Sequence, residues 1–533
     1  MRILFLFALL IFLCGTAVWE ASAAGVDTTQ EIRVGLKNKF AGKKSITIRN
    51  KKMELGYCDG REYRVETVLS SGSGIQVTPE KGSFFAVEDR MSLAEAESLA
   101  MQLMKAGVNA YAVLLSYGQA TVYCPVEENG GEEKEVLKQC MSSAKGMDIS
   151  FEDEAKSSVY LICIQAEDRV LFADGVNGDY PQFAASETDE DSLYTVDLGS
   201  HRYRGRLEIG RYGGRTSVTA VNVVPLEEYL YGVVPYEMPA TWPMEALKAQ
   251  AVCARSYALL KAGYHAETDI KRGYRMVDTV QSQVYGGTEH EHARSNAAVD
   301  ATKGQTLCYE NRTVAGYYFS ASGGHTEDVE DVWESEKPYL QGVPDIYEQN
   351  PSKEPWSVSI TGSKLEALLK AEGRGVGKIT KVVPEIATAS GRVYRLRVIG
   401  SEGSVTLATD ELRNVLDLPS TKFKVISAGA TPDAVTVQGE KESKQTRISD
   451  CYVIGSDGEA QSAKGLTEQY VVVSEDNLTG FSAVVPKEGE FLFVGMGHGH
   501  GVGMSQSGAR GMADRGFTYQ EILEHYFTGI SVR

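Results

Sequence analysis

Residues 224–258 read VPLEEYLYGVVPYEMPATWPMEALKAQAVCARSYA, and this stretch is the most informative part of the chain. It places one carboxylate, Glu237, between Pro235 and Pro239. Each proline fixes φ at about −65° and removes a backbone donor. The segment PYEMP is therefore predicted to be stiff and non-helical and to hold that carboxylate in a fixed position. Its apolar neighbours on either side disfavour ionisation, which predicts a raised pKa suited to a general acid.

A helix is predicted directly after this segment, over residues 244–260, because alanine and leucine dominate there. Thr241 is the expected N-cap, and Pro243 suits the first turn. Lys248 and Arg255 lie seven residues apart, about two turns, and should project from one face. The arrangement indicates a reaction centre. An ordinary alternative stays open, in which Glu237 is a solvated loop residue and both cations decorate a surface helix.

Length and charge narrow the class of protein. With 533 residues the chain is too long for one core, so two to four domains are expected. The net charge of −18 argues against nucleic acid as a partner and provides no attraction to anionic lipids. A neutral or mixed-charge polymer remains a suitable partner.

The N-terminal residues 1–23 have the features of a signal peptide or anchor. Arg2 precedes an apolar run, and Ala21-Ser22-Ala23 forms a small-residue cleavage pattern. We therefore expect export with cleavage after Ala23. The alternative is an uncleaved anchor that ends near Val18.

The eight cysteines do not form a CxxC motif, so a structural zinc cluster is not supported. Cys58 and Cys124 bracket one segment and are candidates for a disulfide in an exported protein. Cys253 lies inside the alanine-rich helix and is expected to pack as a small hydrophobe.

The fold class predicted from the pattern is α+β. After a β segment at 25–56, residues 57–125 are predicted to form a small α+β domain. A charged linker region with one strand follows at 126–192. Residues 193–533 are predicted to be a β-rich mixed catalytic domain that contains the alanine-rich helix, with a β-rich insertion at 430–490.

The small domain has a recognisable order of elements. A helix at 92–105 lies between a strand at 84–87 and two strands at 111–115 and 120–123, with a turn at Gly107. This order resembles a SPOR-type peptidoglycan-binding repeat. Any small α+β domain is the alternative.

Three further segments carry candidate binding residues. Residues 278–287 are predicted to be a polar strand that ends in a glycine turn, residues 317–328 pass from aromatics to a hydroxyl- and glycine-rich loop, and residues 497–509 form a glycine-rich loop before a helix. Their uncovered amides suit a polar, flat ligand such as sugar hydroxyls or phosphate. The candidates are Gln283, Tyr285, Ser320, Ser322, His325, His500, Ser505 and Gln506.

These four segments, in this order, resemble the stage II sporulation protein D/amidase enhancer family from about residue 194 to the C-terminus, apart from 430–490. The resemblance is carried by YLYGVVPYEMPATWPMEALKAQAVCARSYAL and GHGVGMSQSGA. It implies an exported wall protein with lytic transglycosylase action on glycan strands stripped of stem peptides. It also implies that Glu237 is the catalytic acid, with Lys248 and Arg255 as basic residues of the site. We expect both cations to bind substrate, with the lactyl carboxylate of a muramic residue as the group that Arg255 would contact.

No cofactor is expected. Some family members bind zinc through a histidine and two cysteines in the loop after the helix, whereas residues 262–277 contain His265 and no cysteine. The pair His498 and His500 lacks an adjacent third ligand, and hydrogen bonding to substrate or backbone is the favoured role for such histidines.

Three functions follow from these features. The first is a lytic transglycosylase whose partner is the peptidoglycan glycan strand, and the retained Glu237 favours it. The second is a non-catalytic glycan-binding enhancer of an amidase, as the family's other name implies. The third is an adhesive wall-binding protein that uses the SPOR-like unit.

Overall fold

The computed structural model describes residues 30–59, 62–87, 89–126, 156–167, 169–175, 179–189, 191–212, 216–263, 273–333, 336–348, 355–427, 434–438, 443–447, 452–454, 460–462, 469–474, 477–482 and 486–533. The predicted leader at 1–23, most of the linker at 126–155 and His265 lie outside the described residues. Among the described residues, no helix combines the length and the apolar character that crossing a bilayer requires.

The described part is a mixed α+β structure in which strands outnumber helices. The helices are α1 Leu93–Lys105, α2 Leu226–Tyr231, α3 Val234–Glu237, α4 Met244–Gly263, α5 Ala293–Ala301, α6 Glu330–Trp333, α7 Gly362–Ala371, α8 Thr409–Leu416, α9 Gln506–Asp514 and α10 Tyr519–Tyr526.

The strands are β1 Glu31–Gly35, β2 Ile46–Ile48, β3 Lys52–Asp59, β4 Glu62–Ser70, β5 Ile75–Ala86, β6 Tyr111–Ser116, β7 Gln119–Val126, β8 Lys156–Gln165, β9 Val170–Asp174, β10 Gln182–Ala185, β11 Thr195–Asp197, β12 Arg202–Arg204, β13 Arg206–Gly210, β14 Thr219–Pro225, β15 Met276–Val277, β16 Leu307–Tyr309, β17 Arg312–Thr313, β18 Tyr318–Phe319, β19 Trp356–Thr361, β20 Ile379–Ala387, β21 Val393–Gly400, β22 Gly403–Ala408, β23 Phe423–Ser427, β24 Ala434–Gln438, β25 Ser443–Arg447, β26 Tyr452–Ile454, β27 Ala460–Ser462, β28 Gln469–Ser474, β29 Asn477–Ser482, β30 Glu490–Gly495, β31 Met504–Ser505 and β32 Ser531–Val532.

The largest sheet has seven strands in the order β15-β1-β14-β13-β10-β3-β4. Within it β1 pairs with β14 in antiparallel register, with Ile32 opposite Val224. The sheet therefore combines strands from the segments predicted at 25–56, 57–125, 126–192 and 193–533. Strand β14 is followed directly by α2 and then by α3, which carries Glu237. The sheet therefore fixes the start of the segment that positions Glu237.

A small closed barrel packs beside this sheet. Its strands follow the order β5-β7-β6-β9-β8, and β8 pairs back onto β5. Closure removes the unpaired edges that an open five-stranded sheet would leave. The barrel takes β8 and β9 from beyond residue 125, while the end of β3 and all of β4 lie within 57–125 and belong to the large sheet. The predicted boundaries 57–125 therefore differ from those of the barrel.

Helix α1 covers the barrel and confirms the helix predicted at 92–105. Ser92 caps it with a full capping box to Glu95. The face predicted to be apolar is the buried one and consists of Leu93, Ala96, Leu99, Ala100 and Leu103. The likeness to a SPOR-type repeat stays a prediction.

Helix α4 confirms the predicted alanine-rich helix and lies at the centre of the 193–533 region, in contact with α2, α5, α9 and α10. Its small side chains allow close approach of neighbouring backbone. A Cβ on Gly316 would lie 2.7 Å from the Cα of Cys253, a distance at which the two segments would have to separate. Cys253 is buried and unpaired, as expected of a small hydrophobe.

A separate apolar core lies between residues 356 and 493, where α7 and α8 pack on strands β19 to β23. Strands β23 and β30 pair directly, with Phe423 opposite Gly495. The β-rich stretch predicted at 430–490 therefore leaves and re-enters this sheet between two adjacent strands. Its described strands form the hairpins β24–β25, β26–β27 and β28–β29.

Three local predictions are wrong. Residues 278–287 form a turn and an extended segment instead of a strand, because polar side chains bond the local backbone: the hydroxyl of Ser282 accepts from the amide of Val277, and that of Thr279 accepts from the amide of Gln281. Helix α4 is not capped by Thr241; the carbonyl of Pro243 accepts its first amides. Cys58 and Cys124 are not joined by a disulfide.

The barrel closure generates a prediction about fragments. A fragment of residues 75–175 contains all five barrel strands and α1, whereas a fragment of 57–125 lacks β8 and β9. We expect the longer fragment to unfold cooperatively on heating and the shorter one to show no cooperative transition, as measured by circular dichroism. A cooperative transition in the 57–125 fragment would contradict the role of closure.

Candidate active site

Glu237 is the last residue of the short helix α3. The prediction that the segment PYEMP is non-helical is therefore wrong. Pro235 occupies the first turn, where its missing amide hydrogen has no helical partner to lose. The helix then stops because Met238 is extended, with φ −132° and ψ 132°. Pro239 follows this turn outside the helix. The prolines thus start and limit one helical turn, and the carboxylate projects from its last residue.

Three donors hold the carboxylate of Glu237. The amide of Val284 donates to Oε1 at 3.3 Å, and Nε2 of Gln506 donates to Oε2 at 3.3 Å. The hydroxyl of Tyr318 donates a third hydrogen bond. None of these groups carries a charge. They orient the carboxyl group, but they stabilise its ionised form less than a neighbouring cation would.

Burial dominates the electrostatics of Glu237. It raises the pKa of the carboxyl above its usual range, while the hydrogen bonds from Val284, Gln506 and Tyr318 lower it in opposition. Within the described part of the chain, no lysine or arginine forms an ion pair with it. A desolvated carboxyl group with this pKa direction retains a proton closer to neutral pH, as a general acid requires.

The four segments singled out in the sequence converge on this carboxylate. Strands β18 and β31 pair in parallel, with Tyr318 opposite Met504. This pairing places Tyr318 next to the start of α9, where Ser505 is the N-cap and accepts from the amide of Gly508 at 3.1 Å. Gln506 is the first residue of α9 and is mostly buried. Ser505 therefore sets the helix start that directs Gln506 to Glu237.

Gln283 positions one of the donors. Its Nε2 donates to the hydroxyl of Tyr318 at 3.0 Å and to the carbonyl of Ala254 at 3.3 Å. Its Oε1 accepts from the hydroxyl of Tyr229 at 3.1 Å. With 1% of its surface exposed, Gln283 acts through Tyr318 and is not placed to touch a ligand.

Two groups at the site were missed in the sequence. Tyr318 lies inside the aromatic run at 317–319, where its hydroxyl distinguished it from the neighbouring phenylalanine. Gln250 is fully buried in α4, and its Oε1 accepts from Gln506 at 3.4 Å. Its Nε2 meets no hydrogen-bond partner in the described part of the chain. A lone carboxamide in an alanine-rich helix was the available signal.

Tyr285 has a structural position. Its hydroxyl donates to Oδ1 of Asn222 at 2.8 Å, and 4% of its surface is exposed. Asn222 in turn donates to the carbonyls of Arg204 and Arg206. Tyr285 thus ties its segment to the large sheet, and the role predicted for it in binding substrate does not match this burial.

The loop at 320–325 forms the rim of a second polar cluster. The hydroxyl of Ser322 lies 2.9 Å from Oδ2 of Asp345 and 2.6 Å from Oε2 of Glu348, and Glu348 also accepts from the amides of Gly323 and Gly324. Burial, followed by the Glu348 charge, raises the pKa of Asp345. Ser322 is fully buried there, so it shapes the loop and is not available to a ligand.

Two other candidates of this loop are nearer the surface. Ser320 is exposed, and its carbonyl accepts from the amide of Ser507 at 3.2 Å. His325 is half-buried, with Nδ1 2.6 Å from the carbonyl of Thr326. Ser320 therefore borders the glycine-rich loop that leads to Gln506, and its role in binding remains a prediction.

His500 supports the site from behind. Its Nδ1 accepts from the amide of Val502 at 3.1 Å, and its ring packs on Phe319 and Trp333. Burial lowers its pKa to about 4, and a hydrogen bond to the backbone of Tyr318 opposes this. His500 is thus neutral and braces the strand that carries Tyr318. Among the described residues, no group of three metal-ligating side chains is present.

Arg255 belongs to the core. It is fully buried, and its guanidinium donates to both carboxylate oxygens of Glu227, at 2.8 and 2.7 Å, and to the carbonyls of Gln305 and Val299. These bonds leave no exposed face for a substrate carboxylate. The expectation that Arg255 binds substrate is therefore corrected: its position is that of an internal tie between α4 and α2.

Lys248 also lies apart from the carboxylate. Its Nζ donates to Oε1 of Glu245 at 2.7 Å and lies 5.6 Å from the ring centroid of Tyr519. The two cations predicted to project from one face of the alanine-rich helix thus have separate acidic partners, Glu245 on α4 and Glu227 on α2. A contact between Lys248 and substrate remains a prediction.

Comparison with known proteins identifies relatives of this region. A family model described as Stage II sporulation protein matches residues 214–309. The chain is similar to Stage II sporulation protein D of Bacillus subtilis (strain 168), with 34% identity over 239 residues that cover 42% of this chain and 66% of the relative.

Two further relatives extend the comparison. The Amidase enhancer of Bacillus subtilis (strain 168) is 30% identical over 313 residues, which cover 57% of this chain and 40% of the relative. Stage II sporulation protein D of Bacillus amyloliquefaciens is 34% identical over 192 residues, covering 33% and 56%. The chain thus matches less than two thirds of the length of each.

The hydrogen bond from Tyr318 generates a prediction about pH dependence. Tyr318→Phe removes a donor that stabilises the ionised carboxylate, so the pKa of Glu237 should rise further. If Glu237 acts as an acid, the alkaline limb of the kcat/KM profile should move to higher pH. Tyr317→Phe is the matched control and should leave the limb in place. A downward shift in Tyr318→Phe would contradict the assignment.

The buried pair of Arg255 and Glu227 generates a prediction about stability. Arg255→Ala leaves a buried carboxylate without its partner, which typically costs about 3–5 kcal/mol. We expect a large fall in Tm, measured by calorimetry, and an unchanged pH profile for the protein that remains folded. A normal Tm together with a raised KM would instead indicate that Arg255 binds substrate.

Proposed function

Because the chain belongs to the stage II sporulation protein D family, we propose that it is an exported cell-wall lytic transglycosylase. Its substrate is peptidoglycan glycan strands from which the stem peptides have been removed, in sporulation, including engulfment, or in wall remodelling. One observation carries the proposal: a single buried carboxylate, Glu237, is held by neutral donors from three other segments of the chain.

The reaction uses Glu237 first as an acid. The protonated carboxyl group gives its proton to the glycosidic oxygen as the bond from C1 of the muramic residue breaks. The departing sugar leaves with a free hydroxyl. The raised pKa of Glu237 supports this step, because a larger fraction of the carboxyl group holds its proton near neutral pH.

The second step uses the same group as a base. The carboxylate takes the proton from the 6-hydroxyl of the muramic residue, whose oxygen bonds to C1 and closes a 1,6-anhydro ring. The proton lost in the first step is thereby restored, and no water is consumed. Glycosidases that add water use two carboxylates at a set separation; this scheme needs one.

The hydrogen bonds around Glu237 suit this alternation. Val284, Gln506 and Tyr318 stabilise the carboxylate after it has lost its proton, while burial destabilises the same state. The balance keeps the two protonation states closer in free energy than they are for an exposed glutamate. Gln283 and His500 hold Tyr318 in place for this purpose.

A second candidate is a non-catalytic, glycan-binding enhancer of an N-acetylmuramoyl-L-alanine amidase. The relative named Amidase enhancer favours it, although the chain covers 40% of that protein. In this case the amidase is a partner, and Glu237 contributes to glycan binding without catalysing cleavage of the glycan. Both candidates place the protein outside the cytoplasm at the wall.

Glu237→Gln tests the proposal directly. The change preserves size and removes the titrating proton, so formation of 1,6-anhydromuramyl ends from amidase-stripped sacculi should fall by roughly 10²–10⁴-fold, measured by mass spectrometry. Glu228→Gln is the control, because burial also raises the pKa of Glu228 and it belongs to α2. Near-normal turnover by Glu237→Gln would exclude Glu237 as the acid.

The same variant has a predicted stability signature. The folded-state pKa of Glu237 is raised, so the native protein favours the protonated form, and ionisation costs stability as pH rises from the unfolded to the folded pKa. Glutamine removes this cost. Glu237→Gln should therefore have a higher Tm than the wild type in alkaline buffer, with the difference vanishing at acidic pH. If the variant and the wild type had equal Tm values at every pH, the pKa of Glu237 would not be raised in the folded protein.

A further inference from the structure

One cation near the Glu237 site has no partner inside the core. The guanidinium carbon of Arg510 lies 5.2 Å from the ring centroid of Trp242. Its side chain is 39% exposed, and its Nε lies 3.7 Å from Oδ2 of Asp514, which is 46% exposed. An exposed pair at this separation contributes little energy. In the described part of the chain, the η nitrogens of Arg510 meet no hydrogen-bond acceptor.

The position of this cation is tied to Glu237 from two directions. Arg510 lies four residues after Gln506 on α9, so both side chains belong to one face, a turn apart. Gln506 donates directly to Glu237. Trp242 lies five residues after Glu237 in the chain. The contact of Arg510 with Trp242 thus joins the first turns of α9 to the segment that directly follows Glu237.

The loop that carries Trp242 is held in place. Nε of Arg294 donates to the carbonyl of Ala240 at 2.9 Å, and its Nη2 donates to the carbonyl of Trp242 at 3.0 Å. The Trp242 ring therefore offers Arg510 a fixed surface. Stacking on an aromatic face restricts the guanidinium plane and leaves its edge, which carries paired N–H donors, free to bind a carboxylate.

Removal of a stem peptide changes the charge of the glycan. In the intact polymer, the lactyl group of each muramic residue is joined to the peptide by a neutral amide. Hydrolysis of that amide leaves a free carboxylate. A transglycosylase that acts on stripped strands therefore meets one negative charge on every muramic residue, and it needs a cation close to its catalytic acid to recognise it.

We propose that Arg510, stacked on Trp242, binds the lactyl carboxylate of a muramic residue beside Glu237 and so selects glycan stripped of its peptides. This inference rests on the proposed function for its substrate class. It assigns to Arg510 the recognition role that the sequence suggested for Arg255, whose donors are consumed in the core.

The test compares two glycans that differ only at the lactyl group, which is a carboxylate in one and a neutral amide in the other. Soluble strands are prepared from amidase-stripped sacculi, and in one half of the sample the carboxylates are coupled to methylamine, which makes them neutral amides. Binding is measured by calorimetry with the full chain in a Glu237→Gln background, where turnover is blocked. The variants are Arg510→Gln and Arg510→Lys. The control is Arg395→Gln, because Arg395 also stacks on an aromatic ring, Tyr394, at 5.7 Å.

The parent and the Arg395→Gln control should bind the carboxylate glycan about tenfold more tightly than the amidated glycan. Arg510→Gln should bind both equally and weakly, and Arg510→Lys should recover part of the preference. An unchanged preference in Arg510→Gln, equal affinity of the parent for both glycans, or no binding of either would overturn the subsite. The side chain of Arg510 is 39% exposed and forms no ion pair in the core, so its variants should keep the parent's Tm.

The proposed reaction is judged separately, by anhydromuramyl ends formed by the wild type. Absence of these ends together with an Arg510-dependent preference would refute the transglycosylase and retain the carboxylate subsite. Formation of the ends without that preference would retain the enzyme and refute the subsite.

Discussion

The arrangement of this molecule depends on the cost of burying one carboxyl group. Glu237 is removed from water, and its only compensation among the described residues is hydrogen bonding from Val284, Gln506 and Tyr318. These donors come from segments as far as 269 residues away in the chain. Each needs its own support: a capped helix for Gln506, a parallel strand pair and Gln283 for Tyr318. The polar network is the reason that distant loops must meet at one point.

Local pattern was enough to predict the two longest helices of this fold. The apolar face of α1 and the alanine content of α4 gave both helices nearly to their ends, because such signals depend on neighbours within one or two turns. Partners of strands were not predictable in this way. The pairing of β8 with β5 and of β1 with β14 joins distant residues, and no local pattern records which distant strand completes a sheet.

The candidate site shows the same division. Glu237 was found from its setting between prolines, although the helical form of that setting was not. Arg255 illustrates the opposite case. Its spacing from Lys248 indicated a shared face, but the partner that decides its role, Glu227, precedes it by 28 residues. Charge on a helix is visible in a sequence, whereas whether that charge points to a neighbouring helix or to solvent is a property of packing.

The direct pairing of β23 with β30 has a practical consequence. Ser427 and Phe491 are register partners, so the chain departs and returns across a single inter-strand spacing of about 4.8 Å. A segment inserted between these two residues has both ends fixed by the sheet. Its length has little effect on the stability of the sheet, because the entropic cost of closing a loop rises only slowly with loop length. This junction is therefore a suitable position for a fluorescent reporter or an affinity tag, which would label the protein while the loops around Glu237 stay unchanged.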